Sequence, residues 1–288
     1  GALGAALGLR LVENELPGEV VFLGTPAEEG GGGKIRLLEA GAFAGLDAAM
    51  MFHPFDRTVL WNPALAMTRM EFVFRGRASH AAAAPWDGAS ALRGVIQLFN
   101  LVDSARVHLR DGARVHGIIT DGGKAVNIVP ERAACAFSVR APTARYLEDV
   151  VATVRRCAEA AAAATQTEVQ ITCLGGYRDM RNNLPLARRF GEKLAALGVQ
   201  FAEADPQVGA GSTDMGDVSY AVPSIHPYLA ICDAGEAFCH QIGFVERTGG
   251  ARAIKVAVNA AKAMALTALD VLADAALRDE ARSFFGAK

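Results

Sequence analysis

The sequence contains 288 residues, 51% of them hydrophobic, so the chain can bury a large core in one large domain or two of ordinary size. Its 29 Lys and Arg residues nearly balance its 31 Asp and Glu residues, and the net charge of -2 gives no electrostatic reason to expect nucleic acid or an anionic membrane as a partner. Because no uninterrupted apolar run reaches the roughly 20 residues that span a bilayer, and no basic signal-peptide flank opens the sequence, we expect a cytoplasmic protein.

The first predicted elements form a β-α-β unit. Apolar positions separated by small residues in the segment 1–13 predict a tightly packed helix. Nothing caps the start of this helix, so we expect the chain to be cut from a longer one. The apolar run 20–23, ended by Gly24 and a proline, predicts a buried strand, which a helix over 34–40 joins to a second strand over 48–52. We expect these two strands to be parallel.

A second pattern, β-α-β-β-α-β, begins near Thr68. Its predicted elements are a strand around 70–76, a helix over 89–103, strands over 115–123 and 131–141, a helix over 144–164 and a strand over 168–174. This order is the split ferredoxin-like arrangement of a self-contained unit. The rest of the chain returns to helices and short apolar runs, ending in a predicted helix over 251–275. We therefore expect a discontinuous α/β domain, residues 1–66 and 175–288, with an inserted domain of residues 67–174.

Glu28 and Glu29 are adjacent carboxylates that follow the first predicted strand, within the segment TPAEEGGGGK. The carboxyl end of a strand is where an open α/β sheet binds ligands, and paired carboxylates there suit a site in which one holds a metal and the other handles a proton. The alternative is a flexible acidic turn. A phosphate-binding loop is disfavoured, because two carboxylates repel an anion.

His53 follows the second predicted strand, and His240 follows a later apolar segment. Each of them alone could be an ordinary structural histidine. Together with Glu29 they form a nitrogen and oxygen ligand set suited to Zn²⁺ or a similar divalent ion. The five cysteines form no CxxC pair, which argues against a zinc ribbon or a disulfide scaffold. Cys239, next to His240, is a ligand, a nucleophile or a small buried hydrophobe.

The inserted domain carries three further polar candidates. His80 is either exposed at a helix-entry turn or able to reach a substrate oxygen. Asn127 either holds a turn or binds substrate, and Arg140 either forms a surface ion pair or receives a substrate carboxylate.

The segment GSTDMGD, residues 211–217, is rich in turn and helix-capping residues. Ser212 or Asp214 could simply cap a helix. A Ser212 nucleophile is disfavoured because no GxSxG elbow surrounds it. His226, like His108 and His116, is expected to be structural.

Several motifs follow one another in a fixed order along nearly the whole chain: TPAEEGGGGK, FHPFDRT, ASHAAAAPWDGASAL, VNIVPERA, SVRAPT, GSTDMGDVSYAVPSIHP and the late His240. They resemble the zinc metallopeptidase family of aminoacylases, carboxypeptidases and amidohydrolases, and within it the branch of aminobenzoyl-glutamate hydrolase subunits and β-alanyl-lysine-type dipeptidases. The resemblance implies an α/β metallopeptidase-type catalytic domain, a mixed sheet flanked by helices. It also implies an inserted ferredoxin-like α+β lid through which two copies form a homodimer.

The same resemblance implies a metal-dependent reaction. It implies two divalent ions, Zn²⁺ or alternatively Mn²⁺ or Co²⁺, with Glu29, His53 and His240 among the ligands. Glu28 is implied as the general base acting on metal-activated water. His80 is implied to reach the partner's active site and polarise the scissile carbonyl.

For substrate binding, the resemblance implies Asn127, Arg140, Gly211 and Ser212. The implied substrates are small amides, namely N-acyl amino acids, dipeptides or aminobenzoyl-glutamate-like compounds, with neither nucleic acid nor membrane as a partner. The Cys-Gly-His-Asn/Asp motif that this family places before a small-residue helix is absent. We therefore expect an N-terminally truncated chain with weak metal binding, and the alternative to a hydrolase is a catalytically inactive dimerisation or binding module.

Overall fold

The computed structural model describes residues 1–12, 15, 17–205 and 211–287. Its α-helices are α1 (Ala2–Arg10), α2 (Glu28–Gly31), α3 (Gly33–Glu39), α4 (Ala91–Arg106), α5 (Ala144–Thr165), α6 (Leu184–Ala196), α7 (Met215–Val218), α8 (Ile242–Thr248), α9 (Ala251–Ala273) and α10 (Ala275–Gly286). Its strands are β1 (Ala49–Met50), β2 (His53–Phe55), β3 (Ala66–Arg75), β4 (Arg114–Asp121), β5 (Arg132–Ala141), β6 (Glu168–Tyr177), β7 (Ser224–Ile225) and β8 (Tyr228–Ala230).

The chain divides into two compact units. Unit 1 comprises Gly1–Ala64 and Met180–Lys288, and unit 2 comprises Leu65–Asp179. The chain enters unit 2 just before β3, which begins at Ala66, and leaves it just after β6, which ends at Tyr177. Strand β6 thus continues three residues beyond the end that the sequence pattern predicted.

Unit 2 confirms the predicted ferredoxin-like pattern. Its four strands form an antiparallel sheet in the order β4-β5-β3-β6, so the first strand of the unit lies between the third and the fourth. Alternate residues of β3, Met70, Phe72 and Phe74, are fully buried and pack against the inner faces of α4 and α5. Side chains of Ser90 and Thr143 accept hydrogen bonds from the first turns of those helices and fix where they begin.

Unit 1 has two short parallel strand pairs that follow one another along the chain. Strand β1 pairs with β7, and β2 pairs with β8. In the second pair, His53 lies opposite Tyr228. The core beside these strands contains Phe190 from α6 together with residues of α1, α9 and α10. By length and composition α9 could cross a membrane, but Ala260, Ala263 and Met264 bury one of its faces in this core.

The predicted strand over 20–23 is wrong. No described residue pairs with this segment as a strand, and Val20, Val21 and Phe22 are 44, 43 and 50% exposed. A strand is stable only when its backbone N–H and C=O groups find partners, and here they lack a neighbouring strand. The segment lies along a cavity of about 710 Å³ that α1 and β1 also line. The β-α-β unit expected from the sequence is therefore not formed, and β1 is instead parallel to β7.

The predicted helix over 251–275 is present as α9, which ends two residues earlier, and the sequence pattern did not predict α10, which follows it. Asp274 has an extended backbone, and its side chain accepts hydrogen bonds from Ala276 and Leu277 at the start of α10. An aspartate that caps a new helix in this way stops the preceding one. The turn lets α10 fold back onto α6 and α9.

Candidate functional site

The carboxylate turn, residues 26–34, carries Glu28 and Glu29 and is tightly constrained. Ala27 has a left-handed backbone with φ of 63°, and its carbonyl accepts a hydrogen bond from Gly31 at 2.9 Å. A Cβ added to Gly33 would lie 1.8 Å from the carbonyl oxygen of Pro26, so only glycine fits there. The tetraglycine therefore allows a close backbone approach, which argues against a flexible acidic turn.

The structure brings Glu29 and His240 together. The Oε2 atom of Glu29 lies 4.0 Å from Nε2 of His240, and both side chains are largely exposed. Two ligands at tetrahedral positions around one Zn²⁺ lie roughly 3.4 Å apart, so closing this pair onto an ion needs a shift of about 0.6 Å. His240, like Ala27, has a left-handed backbone, with φ of 67°. Strained residues of this kind concentrate at functional sites.

His53 presents one ring nitrogen for binding. Its Nδ1 lies 2.6 Å from the carbonyl oxygen of Pro54, and since a carbonyl only accepts, Nδ1 carries the hydrogen. The neutral ring therefore has its lone pair on Nε2. Fixing the tautomer through a carbonyl is how proteins prepare a histidine to ligate metal.

Two rings lie beside His53, namely the buried His226, which the sequence led us to expect as structural, and the half-buried Tyr228, which the sequence did not single out. His226 and Tyr228 lie within 5.8 and 5.3 Å of His53, measured between ring centroids. Burial lowers the pKa of His226 to about 3, with the nearby charges of His53 and Lys34 adding to the effect. Burial also raises the pKa of Tyr228. His226 is thus a neutral imidazole, and its Nε2 has no hydrogen-bond partner among the described residues.

Lys34, the last residue of the carboxylate turn, forms a buried ion pair with Asp214. Lys34 Nζ donates to Asp214 Oδ1 at 2.8 Å, and the backbone N–H of Lys34 donates to Oδ2 at 3.0 Å. The side chains are 5 and 0% exposed. Asp214 was expected as a possible cap of the helix that follows it, but its side chain makes no such hydrogen bond with α7. It caps α3 instead.

The loop that contains Asp214 also holds the two pocket residues expected from the sequence. Gly211 is exposed and Ser212 is half-buried. Thr213 is buried, and its hydroxyl accepts a hydrogen bond from the backbone of Met215 at 3.3 Å. The preceding residues 206–210 lie outside the described part of the chain.

Within unit 2, His80 and Asn127 are neighbours. The backbone N–H of Ala81 donates to the carbonyl of Asn127 at 3.0 Å. Nδ1 of His80 accepts from the backbone N–H groups of Ala82 and Ala83 at 3.3 and 3.2 Å, which selects the tautomer with its hydrogen on Nε2. His80 is therefore a hydrogen-bond donor toward solvent, the opposite tautomer from His53. Arg140 is half-buried on β5, where it opposes Met67 of β3 and Arg114 of β4.

Cys239 gains no support as an alternative nucleophile. Burial raises the pKa of its thiol and so disfavours the reactive thiolate form. For Ser212 the argument from the sequence stands, because no GxSxG motif surrounds it.

The donor set fits a divalent ion in part. Glu29, His240 and the Nε2 of His53 have the right chemistry, and two of them already approach each other. The part of the chain that the structure describes nevertheless contains no group of three or more His, Cys, Asp or Glu side chains arranged to hold a metal. His53 is thus not gathered with the Glu29–His240 pair into a closed ligand set.

Comparison with known proteins identifies the family. Residues 66–166 match the peptidase dimerisation domain of M20 peptidases. Over 99% of its length, the chain is 38% identical to the Xaa-Arg dipeptidase of Mus musculus, of which it covers 67%. The chain belongs to the M20 peptidase family. Another relative, one of the subunits of the p-aminobenzoyl-glutamate hydrolase of Escherichia coli, is 29% identical over 91% of the chain and 66% of the relative. These relatives are hydrolases, and the chain spans about two thirds of their length.

Solved structures share the M20 fold. An aminobenzoyl-glutamate utilization protein from Klebsiella pneumoniae matches with a TM-score of 0.74 and 21% identity, over 93% of this chain and 66% of that one. A protein of Bacillus subtilis, described as a dinuclear metal-binding peptidase from the M20 family, matches with a TM-score of 0.67 and 22% identity over 94% and 70%. The α/β metallopeptidase-type fold with an inserted ferredoxin-like domain is therefore confirmed.

Proposed function

We propose that this protein is a metal-dependent hydrolase of small amides, with Glu28 as general base. One observation carries the proposal: a constrained turn presents Glu28 and Glu29 side by side, with His240 4.0 Å from Glu29. Such a turn gives the backbone of both glutamates a defined shape, and proton transfer next to a metal requires defined geometry. The proposed substrates are dipeptides, N-acyl amino acids or aminobenzoyl-glutamate-like compounds, and two relatives are named for the first and last of these classes.

The proposed ligands of two divalent ions include Glu29, His240 and the Nε2 of His53. Zn²⁺ is the first candidate, with Mn²⁺ and Co²⁺ as alternatives, because sites of imidazole and carboxylate accept several such ions. When bound, a divalent ion polarises water and the scissile carbonyl. The description of the Bacillus subtilis protein as dinuclear supports this part of the proposal.

Glu28 is the residue proposed to move the proton. It is half-buried, whereas Glu29 is exposed, so the two carboxylates have different environments. Glu28 also lies close enough to the half-buried Tyr228 for its charge to contribute to the raised pKa of that phenol. In the proposed reaction Glu28 accepts a proton from the attacking water and returns it to the departing amine, so the number of protons balances.

His80 is proposed to donate a hydrogen bond to the scissile carbonyl of the partner subunit's substrate. The tautomer supports this role, because Nε2 carries the hydrogen and faces solvent. Such a donor stabilises an oxyanion as negative charge develops on it. The homodimer itself is proposed to form through unit 2, which carries the dimerisation-domain match. Asn127, Arg140, Gly211 and Ser212 are proposed to contact the substrate.

The first test is metal content and hydrolysis, measured on this chain and on a version extended upstream to the length of its relatives. In the extended version we expect bound zinc by elemental analysis after dialysis, and release of arginine from Xaa-Arg dipeptides or of glutamate from aminobenzoyl-glutamate. In this chain we expect weaker zinc binding and little hydrolysis. Glu28→Gln should lower kcat by a factor of roughly 10² or more, the usual contribution of a general base. Glu19→Gln, which changes an exposed glutamate outside the carboxylate turn, is the matched control. Normal turnover by Glu28→Gln would mean that another group is the base.

A second candidate function is a catalytically inactive dimerisation or binding module. The absence of a three-donor cluster among the described residues favours it. Metal content separates the two candidates. Zinc bound by the parent chain and lost from His240→Ala supports the hydrolase, whereas a metal-free dimer without hydrolysis supports the binding module.

A further inference from the structure

We infer that Asp214 is a positioning residue, which holds the carboxylate turn in shape by capping α3 from the opposite end of the chain. The inference rests on the proposed function for its chemical meaning. Asp214 itself touches no proposed reacting atom. It acts through Lys34, the last residue of the turn that carries Glu28 and Glu29.

The backbone at the start of α3 needs a hydrogen-bond acceptor from outside the helix. Lys34 is the second residue of this helix, a position where the backbone N–H has no partner inside the helix. Residue Gly32, at the N-cap, supplies no side chain to accept it. Asp214 Oδ2 accepts that hydrogen bond at 3.0 Å from a loop 180 residues away in sequence. The Gly32 carbonyl accepts from Ile35 and Arg36, but the N–H of Lys34 is satisfied by a long-range contact and not by a side chain of the turn itself.

Close backbone contacts connect the start of α3 with the two carboxylate residues. Gly33 lies against the Pro26 carbonyl so closely that the two ends of the turn touch. Between them, the hydrogen bond from Gly31 to Ala27 closes the segment that carries Glu28 and Glu29. A displacement of Lys34 is thus transmitted to both glutamates through a short, closed loop.

The ion pair between Lys34 and Asp214 is buried. Lys34 Nζ and Asp214 Oδ1 form their 2.8 Å ion pair where both side chains are almost completely removed from water. Each charge there depends on the other, because a buried charge without a partner is strongly unfavourable. Lys34 also lies beside His226, whose ring contacts His53. One buried cluster thus connects the carboxylate turn, His53 and the 211–214 loop.

The test separates the capping hydrogen bond from the ion pair by means of two electrically neutral double variants. Lys34→Met/Asp214→Asn removes both charges but keeps an oxygen that can accept from residue 34. Lys34→Met/Asp214→Leu removes both charges and the acceptor. Asp270→Asn is the matched control, since it breaks a different ion pair of unit 1, with Arg189 at 2.8 Å.

Hydrogen exchange of the peptide covering residues 26–35, followed by mass spectrometry, is the metal-independent readout. Zn²⁺ affinity, measured by competition with a chelating dye, is the second. We expect the leucine variant to exchange faster in this peptide alone and to bind Zn²⁺ about ten-fold more weakly, which is the scale of a lost outer-shell contact. We expect the asparagine variant and Asp270→Asn to match the parent in both readouts.

Equal exchange and equal Zn²⁺ affinity in the two double variants would overturn the inference. If no variant binds Zn²⁺, the proposed metal site fails, and exchange of the peptide still decides the positioning role. If the leucine variant does not fold, protection of the residue 34 amide decides the question. Protection in the parent and in the asparagine variant supports the cap, and rapid exchange in the parent overturns it.

Discussion

The ring of His226 lies edge-on to the ring of His53, with the two centroids 5.8 Å apart and the ring planes at 67°. His226 is 4% exposed, and its Nε2 is without a hydrogen-bond partner among the described residues. A protonated His226 would place a positive charge near His53 and Lys34, both of which disfavour it. The pair therefore joins a solvent-accessible imidazole with a free lone pair to a buried imidazole that stays neutral.

This arrangement predicts a pH dependence of the stability of the metal-free protein. The pKa of His226 is lowered from 6.5 to about 3 on folding, mainly by burial. Between those two pH values the unfolded chain binds a proton that the folded chain does not, so the free energy of unfolding falls as the pH falls. For this one group the loss between pH 7 and pH 5 is about 2 kcal/mol. Urea unfolding at both pH values measures it.

The control for this prediction is a histidine that is exposed. His226→Phe keeps a ring in place but cannot titrate, so its loss of stability between pH 7 and pH 5 should be smaller than the parent's by about 2 kcal/mol. His108→Phe, at an exposed position, should retain the pH dependence of the parent. Identical pH dependence in the parent and His226→Phe would show that His226 is accessible to protons in the folded state.

The tautomers of His53 and His80 are predicted to be opposite. Nδ1 of His53 faces a carbonyl oxygen, whereas Nδ1 of His80 faces two backbone N–H groups. Nitrogen-15 NMR of the neutral rings should therefore find the hydrogen on Nδ1 in His53 and on Nε2 in His80. The same tautomer in both residues would contradict the proposed division between a metal ligand and a hydrogen-bond donor.

Gly33→Ala is predicted to disrupt the carboxylate turn. The new methyl group would lie 1.8 Å from the Pro26 carbonyl oxygen, so the backbone must shift, at a cost of about 1–3 kcal/mol. We expect weaker Zn²⁺ binding along with the loss of stability. Gly24→Ala is the matched control, because nothing lies within 4 Å of a Cβ at that position. Thermal unfolding and dye competition measure both effects, and equal behaviour of the two variants would argue against the close approach.

The parts of the fold that follow from local patterns were predictable. Alternation along β3 predicted a strand with Met70, Phe72 and Phe74 on one face, and the order of elements in unit 2 predicted its sheet. The end of α9 was predicted to within two residues, whereas α10 was not predicted, although an aspartate after a long apolar helix is a recognisable capping signal.

The parts of the candidate site that depend on distant contacts were not predictable. Glu28, Glu29, His53 and His240 stood out by chemical type and by position after apolar runs. No local signal predicts that Asp214 binds Lys34 across 180 positions, since a lysine and an aspartate are ordinary surface residues until the fold buries them together. The left-handed backbone of Ala27 likewise has no signal in its residue type.

A final prediction distinguishes the structure from the sequence pattern at Phe22. A buried strand over 20–23 implies a large loss of stability on truncation of Phe22, about 3–5 kcal/mol, as for any fully buried phenylalanine. In the structure Phe22 is 50% exposed and belongs to no strand, so Phe22→Ala should cost less than about 1 kcal/mol. Phe190→Ala, at a fully buried position of the same unit, sets the upper reference at about 3–5 kcal/mol. Urea unfolding of both variants measures the difference, and a loss at Phe22 equal to that at Phe190 would restore the buried strand and contradict the exposed segment.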